Sequence, residues 1–212
     1  MREDLYMVLA WAAQLGQRRA ARKPQAVRPG LEMMEDRMVP AVLDLTTVGA
    51  SGSFGDALFD QANPQPGGNG VVNAFLRVQS HGSSVEQGYN TDLRPVTQDQ
   101  KKDSTFTRSL LASDLPQVTV DGTVYSEFML NINQSQSSPQ LSLDELRLFV
   151  GNAPNLALDA GNLTLAGQGA VYDMGAGNSV LLTSGLAPGI GKGDMYLLVP
   201  SQVLQSAGNP YV

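Results

Sequence analysis

Cysteine is absent from the 212 residues. That excludes disulfides, thiolate metal centres, iron–sulfur clusters and thiol nucleophiles. Histidine is almost absent: His81 stands alone in the polar turn His81-Gly82-Ser83-Ser84. One histidine excludes a His-rich metal centre. A Ser-His-acid triad has no local support either, because no Gly-x-Ser-x-Gly elbow occurs. Charge is scarce, at 16% of residues against a usual figure of about 25%. The single tryptophan, Trp11, lies outside the part that reads as a folded body, and Tyr89, Tyr125, Tyr172 and Tyr196 are scattered. No aromatic platform for stacking sugars can be placed from them. The apolar stretches are too short for a transmembrane span.

What remains suits strands and turns. Apolar residues make up 42% of the chain, with 22 Gly and 12 Pro. Low charge with frequent Gly, Ser, Asn and Gln fits a strand-rich chain better than a helical one. The net charge of −6 is unevenly spread: residues 1–40 hold seven Lys/Arg and five Asp/Glu, the rest seven and fifteen. An acidic body argues against sequence-independent binding of nucleic acid, which needs clustered cations to release counterions.

Residues 1–41 differ from the rest. Leu5, Val8, Leu9, Ala12 and Leu15 fall at helical spacing, with Glu3 and Asp4 before them and Arg18, Arg19, Arg22 and Lys23 after. This charge order suits a helix dipole and is the reverse of a secretory signal. An amphipathic helix, an atypical export signal and a misassigned start all remain open. The following run, Arg28-Pro29-Gly30-Leu31-Glu32-Met33-Met34-Glu35-Asp36-Arg37-Met38-Val39-Pro40-Ala41, is the most specific in the chain. It resembles the planctomycete extracellular motif, a basic stretch leading into Leu-Glu-x-Leu-Glu-Asp-Arg-x-x-Pro-Ala. Met34 replaces the second leucine. The resemblance implies an exported or cell-envelope protein. It implies nothing about the domain that follows. The plain alternative is a short helix bearing Leu31, Met34 and Met38 on one face, stopped by Pro40.

After Ala41 the period becomes alternating, and residues 42–212 read as one domain. Strands are expected at Val42–Val48, Val71–Gln79, Leu146–Val150, Gly169–Asp173, Val180–Thr183 and Met195–Val199. A hairpin over Gln117–Asn133 turns at Asp121-Gly122. Short strands between Pro- and Gly-bearing loops predict an all-β fold, an antiparallel β-sandwich of jelly-roll type. Ser142–Val150 resembles a late strand of secreted jelly-roll modules of the laminin-G-like or carbohydrate-binding kind. Tyr211-Val212 reads as the start of a further strand, cut short or fraying at an edge.

For chemistry, Gly189-Ile190-Gly191-Lys192-Gly193 lacks the phosphate-loop pattern at Leu186 and Gly193. Paired carboxylates for a glycosidase leave no local spacing, and Glu86, Glu127 and Glu145 are the isolated glutamates of the body. Calcium, which takes loop oxygens, is expected at Asp173 and Asn178 in Asp173-Met174-Gly175-Ala176-Gly177-Asn178. Asp159-Ala160-Gly161-Asn162 repeats that flavour more weakly. The jelly-roll resemblance adds Asp144 as a third calcium ligand. Asp, Gly and Asn also simply make good turns. The leading expectation is a non-catalytic structural or interaction module whose partner is an envelope or matrix protein or a polysaccharide. A calcium-stabilised carbohydrate-binding module is the alternative, and a glycosidase-like enzyme the third reading.

Overall fold

The computed structural model describes residues 40–62, 75–79, 84–132, 134, 136–159, 161–186, 193–205 and 210–212. The expected N-terminal helix, the Leu31–Val39 run, His81 and Gly189–Lys192 lie outside the described residues. In chain order the strands are β1 (Val42–Asp44), β2 (Ser51–Phe54), β3 (Ala57–Gln61), β4 (Gln117–Val120), β5 (Thr123–Leu130), β6 (Gln140–Leu143), β7 (Arg147–Leu148), β8 (Leu158–Asp159), β9 (Thr164–Leu165), β10 (Tyr172–Asp173), β11 (Ser179–Thr183) and β12 (Met195–Pro200). One short helix, α1 (Ser201–Gln205), follows β12. No helix among the described residues is long and apolar enough to cross a membrane.

The fold is all-β. Five strands form an antiparallel sheet in the order β2-β3-β12-β5-β4. Two hairpins flank the central strand. The β4–β5 turn has positive φ at both Asp121 and Gly122, as a two-residue type I′ loop requires. The β2–β3 turn, Gly55-Asp56, has φ +60° at Gly55, a conformation that glycine adopts without a Cβ penalty. Between the hairpins lies β12, hydrogen-bonded to β3 and to β5. Strand β12 is buried along nearly its whole length, which its run Met195-Tyr196-Leu197-Leu198-Val199-Pro200 suits.

A second sheet has the order β1-β11-β6. Its β11–β6 pair is antiparallel, but β1 runs parallel to β11, with Leu43 opposite Val180. The parallel pair departs from the expected all-antiparallel pairing. Its cause is local: β1 is anchored at its start to the loop before β11, so it must run the same way. Ribbons β7–β10 and β8–β9 complete the ladder set.

The two sheets share one core. Val180 and Leu182 from the three-stranded sheet, with Leu45 just past β1, meet Phe59, Phe128, Leu197 and Val199 from the five-stranded one. Phe54 and Phe59 pack edge to face at 5.5 Å. Burying an aromatic or branched side chain of this size contributes about 1.5–3 kcal/mol. Several strands are shorter than expected. The first ends at Asp44, where the carboxylate takes the Thr46 amide and hydroxyl and bends the chain. Only Tyr172–Asp173 of the Gly169–Asp173 run is strand. Ser142–Val150 is not one strand: Ser142-Leu143 belong to β6 and Arg147-Leu148 to β7, which lie in different sheets, with 144–146 between them.

Candidate functional site

The residues expected to hold calcium are each committed to a different partner. Asp173 sits opposite Arg147 in the β7–β10 ribbon. Its Oδ2 accepts the Arg147 Nε–H at 2.6 Å and its Oδ1 the Gly175 amide at 2.8 Å. Glu145 pairs with the other end of the same guanidinium. Partial burial pushes the Asp173 carboxyl up, but the Arg147 and Gly175 bonds outweigh it and leave the group below its ordinary value. Arg147 is correspondingly pushed up by its bond to Asp173. A calcium ion on these oxygens would stand against a guanidinium.

Asn178 closes the same loop. Its Nδ2 donates to the Met174 carbonyl at 2.7 Å, and its Oδ1 accepts the Ala41 amide at 3.2 Å. The Ser179 amide then donates to the Ala41 carbonyl at 3.0 Å. Gly177, at φ +79°, lies against the Pro40 ring, where an added Cβ would come within 3.3 Å. The loop read as a calcium site therefore grips residues 40–41 and starts β1 alongside β11.

Asp144, in the turn after β6, accepts the Ser142 hydroxyl. In the weaker candidate, Asp159 accepts the Gly161 and Asn162 amides and the Asn162 side chain. Those bonds, the Asn162 side chain first, hold Asp159 below its ordinary value. No three His, Cys, Asp or Glu converge as metal ligands among the described residues.

Sequence reasoning missed the outer face of the five-stranded sheet. Period-two alternation marks Asp60, Tyr196 and Glu127 as one face only once β12 is known to lie between β3 and β5. Asp60 is opposite Tyr196, and Glu127 is opposite Leu198. The two carboxylates are therefore diagonal across β12, about 12 Å apart at the backbone from strand spacing and rise. Burial pushes both carboxyls up. Burial, then the nearby Glu127 charge, pushes Tyr196 up.

Asp194, only 3% exposed, precedes β12. Burial pushes it up against the opposing effect of the Ile132 amide, which donates to its Oδ2 at 2.8 Å. Two grooves of about 510 and 500 Å³ open on the surface. The first, lined by Gln117, Thr123, Ser201, Gln202 and Gln205, offers amides and hydroxyls without a charge. Ser201 is held there by a 2.9 Å bond to Ser126. The second includes Asp92, Arg108, Asp114 and Tyr211. Tyr211 itself bridges Leu111 and Gly151, so the expected strand start is paired on both sides.

Compared with known proteins, the chain matches no family model, no curated protein and no solved structure.

Proposed function

We propose that this chain is a non-catalytic structural or interaction module of an exported or cell-envelope protein. The observation that carries the reading is the use made of its loop polar groups. Asp173 and Glu145 hold Arg147, Asn178 holds Ala41, and Asp92 takes the Ser109 amide and hydroxyl. Arg94 donates to the carbonyls of Thr91, Leu93, Lys102 and Thr107. Such bonds order loops around a sandwich and suit a module whose task is to keep a surface in shape. Export is supported by the Leu31–Ala41 resemblance. The test is fractionation of cells producing the full chain with a C-terminal tag. Recovery in the envelope or medium is expected; confinement to the cytosol with residues 28–41 intact would end the reading.

A second reading is a calcium-stabilised carbohydrate-binding module on a jelly-roll-type sandwich. The groove of neutral amides and hydroxyls beside α1 favours it, since uncharged hydrogen-bonding groups suit a neutral sugar. A polysaccharide pull-down with Gln202→Ala as control separates the two. Retention of the native chain and loss by the variant would favour the second.

A further inference from the structure

The long excursion between β3 and β4 reverses the charge of the domain. Residues 75–109 carry five Lys/Arg and four Asp/Glu, whereas the rest of 42–212 carries two and eleven. The five cations also gather in space. The Lys101 amide donates to the Arg77 carbonyl at 2.8 Å, and the Arg94 Nε–H to the Lys102 carbonyl at 3.0 Å. The Arg108 amide donates to the Phe75 carbonyl at 2.8 Å, and the Arg77 guanidinium lies 4.2 Å over the Phe106 ring. Arg77, Arg94, Lys102 and Arg108 are exposed and Lys101 is half-exposed.

Four acids lie among them and keep their charge, Asp103 attracting Arg94, so the segment holds a small excess of cation. Asp92 is turned to Ser109, Asp99 to the Gln87 amide and Asp103 to the Thr105 amide. The ion pairs recorded among the described residues both belong to Arg147. The patch is thus a local excess of cation, presented by Arg77, Lys101, Lys102 and Arg108, on an acidic body.

A complementary face lies on the three-stranded sheet. Asp44, Leu181 and Ser142 form one cross-strand row, and Asp144 adjoins it through the Ser142 hydroxyl. This row is joined by exposed apolar side chains, Leu181 at 37% and Val42 at 63%.

We infer that the cationic patch around Lys101 and Lys102 docks on the Asp44–Leu181–Asp144 face of a second copy, head to tail. A long polyanion reaching the patch would meet the surrounding acidic surface, whereas a second copy presents the opposite charge and an apolar centre. The contact is heterologous, so copies add in rows unless the rotation closes a ring. The inference rests on the module reading for its purpose, but fractionation tests that reading and self-association tests this one.

Sedimentation velocity of the full chain over a concentration series decides it. In 50 mM NaCl the average sedimentation coefficient is expected to climb with concentration. In 500 mM NaCl association is expected to weaken by about tenfold or more, because exposed charges are then screened. K101E/K102E and D44K/D144K are each expected to stay monomeric. Mixed together they are expected to associate again, since the intact acidic face of the first meets the intact cations of the second and the two reversed faces are themselves of opposite charge. D44N/D144N, which keeps an acceptor oxygen for Thr46 and Ser142, replaces the lysine variant if circular dichroism shows the latter unfolded. A native chain that stays monomeric would overturn the inference. So would undiminished association of K101E/K102E, which would assign the attraction to the basic residues of 1–40. Binding of polygalacturonate at the patch without self-association would overturn it in favour of an acidic polysaccharide.

Discussion

The Tyr172 hydroxyl donates to the Phe54 carbonyl at 3.1 Å, tying the β7–β10 ribbon to an edge of the five-stranded sheet. Tyr172 is also a core residue, packed with Phe54, Met174 and Val150. Its ring fills space while its hydroxyl satisfies a carbonyl at the end of β2, as a buried phenol requires. Tyr172→Phe keeps the ring and removes that partner. The expected loss is about 1–2 kcal/mol, read as a lower midpoint in urea with an unchanged slope.

The same environment pushes the Tyr172 phenol up to about 12, through burial and then the Asp173 charge. The unfolded group ionises near its ordinary value of 10.0. A folded-state value above the unfolded one stabilises the protein below pH 10, and that contribution is lost as pH rises toward 12. Alkaline unfolding is therefore expected between those limits. Absorbance at 295 nm should show one tyrosine titrating only with the loss of folded structure, and Tyr172→Phe should lack it.

Carboxylates act in two opposed sets. Asp173 is held below its ordinary value despite partial burial, and Asp44, Asp103 and Asp159 are held below theirs by hydrogen bonds. Their contribution is present above the unfolded carboxylate range and is lost as pH falls through their lower folded values. Asp60, Glu127 and Asp194 are pushed up by burial. Their contribution is present in acid and is lost as pH rises through their folded values. Stability is expected to peak in mild acid, not at neutrality. Asp194→Asn is expected to flatten the fall from that peak toward pH 7, in thermal melts across pH 4–8. An unchanged slope would mean that Asp194 does not titrate there.

The hairpin that was plainest in the sequence offers a backbone test. Gly122 adopts φ +82° with nothing near its missing Cβ. Gly122→Ala meets no clash, so its cost is conformational alone, about 1 kcal/mol. A comparable loss is not expected for Gly169→Ala, where φ is ordinary and the space is equally open.

Local patterns carried most of what could be read in advance. Asp121-Gly122, the run Met195–Val199 and the alternation at Val180–Thr183 needed only neighbours in sequence to declare their strands. What could not be read was which distant strands meet. β12 lies between hairpins that precede it by more than 60 residues, and no local period encodes that placement. The missed β2–β3 hairpin did have a signal, Gly55-Asp56 between alternating residues. For the candidate site, Asp173 and Asn178, expected to hold calcium, flank the loop between β10 and β11. Their partners, Arg147 and Ala41, lie 26 and 137 residues away, so the sequence could not show that their oxygens were already engaged.

That engagement leads to the test with the most bearing on function. The Asp173 carboxylate is neutralised by Arg147 and the Asn178 oxygen is occupied by the Ala41 amide. Binding calcium there would require displacing a charge-assisted bond and releasing the start of β1, with a guanidinium left beside the ion. Millimolar calcium, or its removal by chelator, is accordingly expected to leave the melting temperature of the native chain unchanged. Arg147→Gln frees the carboxylates of Asp173 and Glu145 and is expected to lower stability, with calcium restoring part of the loss. A rise of several degrees in the native chain would instead show that Asp173 yields Arg147 to a metal, and would favour the calcium-stabilised carbohydrate-binding module.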